Sequence, residues 1–125
     1  MKTKTFPFAE ISKIDNSIAE IIACDGVEID VDNVSQLYNW KRENLNAPFG
    51  ILVNKINSYS YTFEAQMKLG DLEEIKAVAV ISYQKLTEIS TRLLKTAPTK
   101  QKLNLEIFDD RNQALKWLKA ELAEV

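Results

Sequence analysis

Few residues in this chain could do chemistry, and their types restrict what that chemistry is. There is no histidine, which removes Ser-His-Asp and Cys-His catalysis and every histidine-bearing metal site. Cys24 is the single cysteine, so neither an intramolecular disulfide nor a thiolate metal set can form. Placed at the end of an apolar stretch with no cationic neighbour, it reads as an inert core thiol. The glycines Gly26, Gly50 and Gly70 are isolated, so no GxGxxG or Walker-type phosphate cradle results. The acidic pairs Asp30/Asp32 and Asp109/Asp110 each stand just before a helical pattern, where carboxylates cap free amides. No glycine-shaped calcium loop accompanies them. Carboxylate or lysine chemistry is all that remains, and no pairing of either is visible. The expectation is a protein that is not an enzyme and holds no metal or cofactor.

Two clusters remain as candidate sites. Ser58-Tyr59-Ser60-Tyr61-Thr62 places three hydroxyls ahead of a short helical pattern. A phosphate there would be favoured by exposed amides and the helix dipole, and the tyrosines would offer contact surface to a protein partner. The plainer role is capping, with Ser60 or Thr62 taking an amide of the helix. Arg92, Lys95, Lys100 and Lys102 gather near the end of a later helical pattern. They could receive an anionic partner or head group, although cations at a helix C-terminus also stabilise it, by roughly 0.3–1 kcal/mol each. Trp40 and Trp117 read as packing residues.

Composition sets the frame for these positions. A chain of 125 residues that is 46% hydrophobic and 27% charged fits one globular domain over residues 1–125. The net charge of −2 gives no electrostatic pull towards nucleic acid. The longest apolar run is Ala77 to Ile81, far short of the ~18–20 residues of a membrane span. The N-terminus lacks the apolar core of a signal peptide. With one cysteine, these features lead us to expect a cytoplasmic protein.

The elements that must position the candidates follow from periodicity. Thr5 to Ile11 predicts a first strand, with Pro7 marking an edge because it lacks a backbone donor. Ser17 to Ala23 predicts a second, ending in Asp25-Gly26 turn chemistry. Val34, Leu37, Tyr38 and Leu45 form one helical face opened by Asp30 or Asp32, with Trp40 flanking it. Phe49 to Val53 predicts a strand buried on both faces, and Asn54 to Tyr61 a loop. A short helix over Thr62 to Leu69, with Phe63 and Met67 four apart, closes at Gly70. Lys76 to Ser82 predicts a central strand, Tyr83 to Ala97 a helix and Leu103 to Phe108 a last strand. The final helix has Asp110 as cap, Gln113 as its reciprocal partner, and the stripe Leu115, Leu118, Leu122 and Val125. The order β-β-α-β-α-β-α-β-α predicts an α/β fold. Its mixed sheet has about five strands, the first an antiparallel edge, covered by about four helices with right-handed parallel crossovers.

That order, with the closing run IFDDRNQALKWLKAEL, resembles the SpoIIAA-like group of STAS domains, small bacterial β/α domains related to anti-sigma-factor antagonists. The likeness in motif rests on Phe108-Asp109-Asp110, then Ala114 and Trp117-Leu118, and on the strand KAVAVIS. It implies a regulatory module that binds a protein partner, with a serine or threonine switch in the loop after the third strand. Here that loop is Asn54 to Thr62, which has the hydroxyls but neither the glycine nor the preceding aspartate of the switch motif. The layout is also similar to the CRAL-TRIO lipid-exchange fold, which implies a small apolar-ligand or lipid-binding module as the alternative. That alternative requires an internal pocket of roughly 300 Å³ or more. An exposed helix face would leave a homodimer open.

Overall fold

The structure is a computed structural model, and it describes residues 2–69, 74–83 and 104–123. Their strands are β1 (Thr3–Thr5), β2 (Ala9–Asp15), β3 (Ile18–Ala23), β4 (Glu28–Ile29), β5 (Phe49–Lys55), β6 (Ser60–Tyr61), β7 (Ile75–Ser82) and β8 (Leu105–Phe108). Their helices are α1 (Val31–Asn44), α2 (Phe63–Leu69) and α3 (Arg111–Ala123). Six strands make one mixed sheet in the order β1-β2-β3-β5-β7-β8, and β4 pairs with β6 separately. β1, β2 and β3 are antiparallel in succession, while β3, β5, β7 and β8 run parallel. The α/β architecture expected from periodicity is the one observed. The expected helix over Tyr83–Ala97 falls largely, and Arg92, Lys95, Lys100, Lys102, Gly70 and Val125 wholly, outside the described residues.

The sixth strand of the sheet has a local cause. Instead of one strand from Thr5 to Ile11, the chain turns at Phe6-Pro7-Phe8, where the Phe6 amide donates to the Ala9 carbonyl at 2.7 Å. Proline's missing donor places it at the break between two strands rather than within one. The exposed edge is therefore Thr3-Lys4-Thr5, polar and charged, a composition that discourages pairing with another chain.

The period-two alternation of the central strands divides the core into two layers. In β7, Val78 and Val80 face the layer built with Val34, Leu37 and Trp40 of α1 and Ala65 of α2. Ala77, Ala79 and Ile81 face the layer built with Ala114 and Leu118 of α3. Trp40 is thus a core residue of α1 rather than a flanking one. α1 begins with a reciprocal cap: Asp30 Oδ1 accepts the Asn33 amide at 2.8 Å, and Asn33 Oδ1 accepts the Asp30 amide at 3.1 Å. In α2 it is Ala65 that is buried, while Phe63 stands out in solvent.

α3 seats closely on the sheet. A methyl at Gly50 would lie 3.0 Å from Leu122 Cδ1 and 3.4 Å from Leu118 Cδ2, so β5 carries glycine where the helix comes nearest. Asp110 caps the helix by accepting the Asn112 amide at 2.8 Å, and Trp117 covers Phe108 of edge strand β8 with ring centres 5.7 Å apart. Arg111 reaches across to Glu20 of β3 at 2.8 Å, and Asn54 donates to the same carboxylate at 3.0 Å. Burial by itself would raise the Glu20 pKa, but these bonds outweigh it and hold the carboxyl below its usual value.

Candidate ligand-binding cavity

The same alternation that builds the core sends two lysines into it. Along β5, Phe49, Ile51 and Val53 face α1 and α2, and the next residue of that row is Lys55. Along α1, Val34 and Leu37 define the inward face, and Lys41 lies one heptad after Val34. Both lysines are buried, Lys41 to 3% and Lys55 to 8% exposure. Both line one apolar cavity of about 60 Å³, whose walls include Leu37, Ile51, Val53, Val78 and Val80.

Neither ammonium meets a carboxylate or other hydrogen-bond acceptor among the described residues. Burial pushes each down to about 8, because the charged form loses hydration that no hydrogen-bond acceptor among the described residues replaces. Among the described residues, no fully enclosed side-chain nitrogen or oxygen lacks a partner. The two amines therefore keep some open space beside them, with their aliphatic stems packed along apolar walls.

The segment after β5 closes the cavity at the Lys55 end. Gly26 has φ +78, a left-handed conformation that costs glycine nothing. At this turn the Gly26 amide donates to the Ser58 carbonyl at 2.7 Å. The Ser60 amide then donates to Val27 at 3.1 Å and the Thr62 amide to Ile29 at 2.9 Å, which forms the β4–β6 pair. Alternation along β6 turns Tyr59 and Tyr61 to the same side, where both line the cavity. Lys55 Nζ lies 5.0 Å from the Tyr59 ring centre and 5.9 Å from that of Tyr61, within the range of a cation–π contact. The two phenol oxygens are 3.4 Å apart. Burial raises both phenol pKa values, and the neighbouring Tyr61 adds to the rise at Tyr59. The pair stays neutral through ordinary pH.

The structure separates the five residues of the Ser58–Thr62 cluster. Tyr59 and Tyr61 are half-buried, with their rings against Lys55. Thr62 caps α2, its Oγ1 accepting the Ala65 amide at 3.1 Å. Ser58 and Ser60 are exposed, yet the Ser58 amide is already held by Asp25 Oδ1 at 3.0 Å and the Ser60 amide by the β4–β6 pair. A phosphate on Ser58 would meet the Asp25 carboxylate instead of free amides, the opposite of a helix-end phosphate site. The stretch Asn54–Tyr61, expected to be loop, thus holds the end of β5 and all of β6. Cys24 is not the expected core thiol: it is exposed just beyond β3, with its thiol 3.7 Å from the Pro7 carbonyl.

Lys41 and Lys55 were absent from the candidate residues, although their signals were present. Each continues an apolar row at the period of its own element, Lys41 after Val34 and Leu37, Lys55 after Phe49, Ile51 and Val53. The alternative of a small apolar-ligand or lipid site falls short of its size requirement, since about 60 Å³ is well under roughly 300 Å³; the space admits only a molecule of a few heavy atoms. No helix among the described residues is long and apolar enough to cross a membrane.

No protein-family model matches this sequence, and no curated protein does. A solved structure is similar to it: an uncharacterized protein from the DUF3478 family, with a SpoIIAA-like fold, from Shewanella loihica PV-4. The two share 20% sequence identity over 88% of this chain and 91% of the other, with a TM-score of 0.57. Identity at that level speaks for the fold alone. The mixed sheet, its succession of parallel strands and this likeness together establish that the chain has the SpoIIAA-like, STAS-type fold.

Proposed function

We propose that this protein is a non-enzymatic binding module that takes a small, largely apolar molecule into the cavity between the sheet and α1. The observation that carries the proposal is the pair of buried lysines, without acidic partners among the described residues, at an otherwise apolar cavity. A fold retains a desolvated cation at a cost in stability, and a ligand that completes its environment is a physical reason to keep it. The small free volume favours a compact ligand over a long-chain lipid. The test is a two-dimensional amide NMR titration with compact organic probes such as ethanol and acetonitrile. Shifts confined to Lys55, Tyr59, Tyr61 and the inward face of α1 are expected. Shifts absent, or scattered over the surface, would reject the reading.

A second reading, contact with a protein partner, is favoured by two exposed apolar side chains that flank the Tyr59–Tyr61 wall. Ile56 is 63% and Phe63 67% exposed, and large apolar groups left in solvent are what an interaction surface offers. The segment Ile56–Phe63 would then carry the cavity on its inner side and the partner on its outer side. Replacing both with serine should abolish capture of a native partner while leaving the NMR titration unchanged. Capture that survives the double change rejects this reading.

A further inference from the structure

We propose that the ligand of this cavity is a short monocarboxylate, its apolar part against Leu37, Val53 and Val80 and its carboxylate paired with a buried lysine ammonium, Lys55 foremost. This rests on the reading of the cavity as a ligand site and specifies the chemistry that the site selects.

Charge complementarity carries the argument. The described lining of the cavity contains two cations, Lys41 and Lys55, and no anion. The polar hydrogens that accompany them come from the Tyr59 and Tyr61 phenols, which burial keeps neutral and able to donate. A neutral ligand would leave both ammonium groups uncompensated, whereas one carboxylate supplies the acceptor that the fold itself withholds. Charge-assisted bonds of that kind are the stronger class of hydrogen bond. The same donor set disfavours a phosphate or sulfate head group. Such groups are commonly held by forked arginines or by clustered backbone amides, and the described lining offers neither. The volume limits the tail: about 60 Å³ suits an acid of two or three carbons and is well under the roughly 150 Å³ of a cavity that holds a benzene ring.

Lys55 is the foremost candidate because Tyr59 and Tyr61 flank it where β5 ends, whereas Lys41, in the last turn of α1, makes no ring contact among the described residues. A carboxylate at Lys55 can accept from the ammonium and from a phenol together, and at Lys41 from the ammonium alone.

Calorimetric or NMR titration of the whole chain with acetate, propionate and butyrate, and with the matching alcohols and methyl esters, tests this; octanoate and benzoate serve as oversized controls. The expected result is that one or more acids bind while their alcohols and esters bind at least roughly tenfold more weakly, the loss of one charge-assisted bond. Lys55→Met should weaken the best acid by a similar factor, and the exposed Lys119→Met should leave it unchanged. The wild-type comparison of acid with alcohol does not depend on how any variant folds. If an alcohol binds as well as its acid, the carboxylate assignment fails and the cavity reading stands. If phosphate or sulfate competes where acids do not, the assignment to a carboxylate fails. If neither acids nor neutral probes bind, both fail together.

Discussion

Replacing Lys41 by methionine should make the protein more stable, and the gain can be worked from the structure. The Lys41 ammonium has a pKa of about 8 in the fold, against an ordinary value of 10.5, through burial alone. The unfolded chain exposes this residue, so at pH 7 folding carries the difference as a cost. At 1.36 kcal/mol per pKa unit, that cost is at most about 3 kcal/mol. Relaxation and the open space beside the amine reduce it, so roughly 1–3 kcal/mol is expected. Methionine has a similar length, carries no charge and packs against irregular apolar walls, so the cavity should accept it. The sign with pH is specific. A cation whose pKa is depressed by folding costs stability below pH 8, and the cost is lifted between 8 and 10.5, where the unfolded chain binds the extra proton. Lys55, also lowered to about 8, acts in the same direction. Urea denaturation at intervals from pH 6.5 to 10 should show the wild type gaining stability above pH 8. The Lys41→Met protein should start higher and gain about half as much. A variant less stable than wild type at pH 7, or a wild type that loses stability from pH 8 to 10, would refute the reasoning.

Further outcomes can be measured on the same purified chain. Above pH 10 the trend should reverse, because Tyr59 and Tyr61 have raised pKa values and the unfolded chain loses those protons first; Tyr59→Phe with Tyr61→Phe should reduce that alkaline loss. Leu118→Ala, at a fully buried contact of α3, should lower the unfolding free energy by about 2–5 kcal/mol in urea titrations. Gly50→Val should cost about 1–3 kcal/mol or more, since even a methyl there reaches 3.0 Å from Leu122; thermal denaturation reads it directly. Glu20→Gln should lose part of the Arg111 pairing and flatten the acid limb of stability. The lowered Glu20 pKa is a gain present above about pH 4.5 and lost as pH falls through the folded value.

Much of the fold was legible because local patterns and global packing agree. Val34 and Leu37 at helical spacing, Asp30 as a cap, the apolar run at Phe49 and the strand at Lys76–Ser82 each predicted its element within a residue or two. The misplacements are instructive. Pro7 in sequence marks an edge strand, yet a missing donor ends pairing altogether when the chain can turn and pair elsewhere. The β4–β6 pair was not legible because each strand is two residues long, too short for any period, and its partner lies about thirty positions away. The candidate site was less legible than the fold. A lysine is read as a solvated residue by type, and only its position in an apolar row says otherwise.

The sequence alone determined the chemistry that could exist here: no histidine, one cysteine and no phosphate-binding glycine loop, because these follow from residue types without coordinates. It also determined the order of elements, because hydrophobic period is a local property of the chain. Only the tertiary structure decided which charges lose their water. Whether Lys41 and Lys55 are surface cations or buried ones depends on α1 lying over β5 and on Tyr59 and Tyr61 folding back beside Val27 and Ile29. Those contacts join residues remote in sequence, and desolvation is a property of the assembled neighbourhood rather than of the residue.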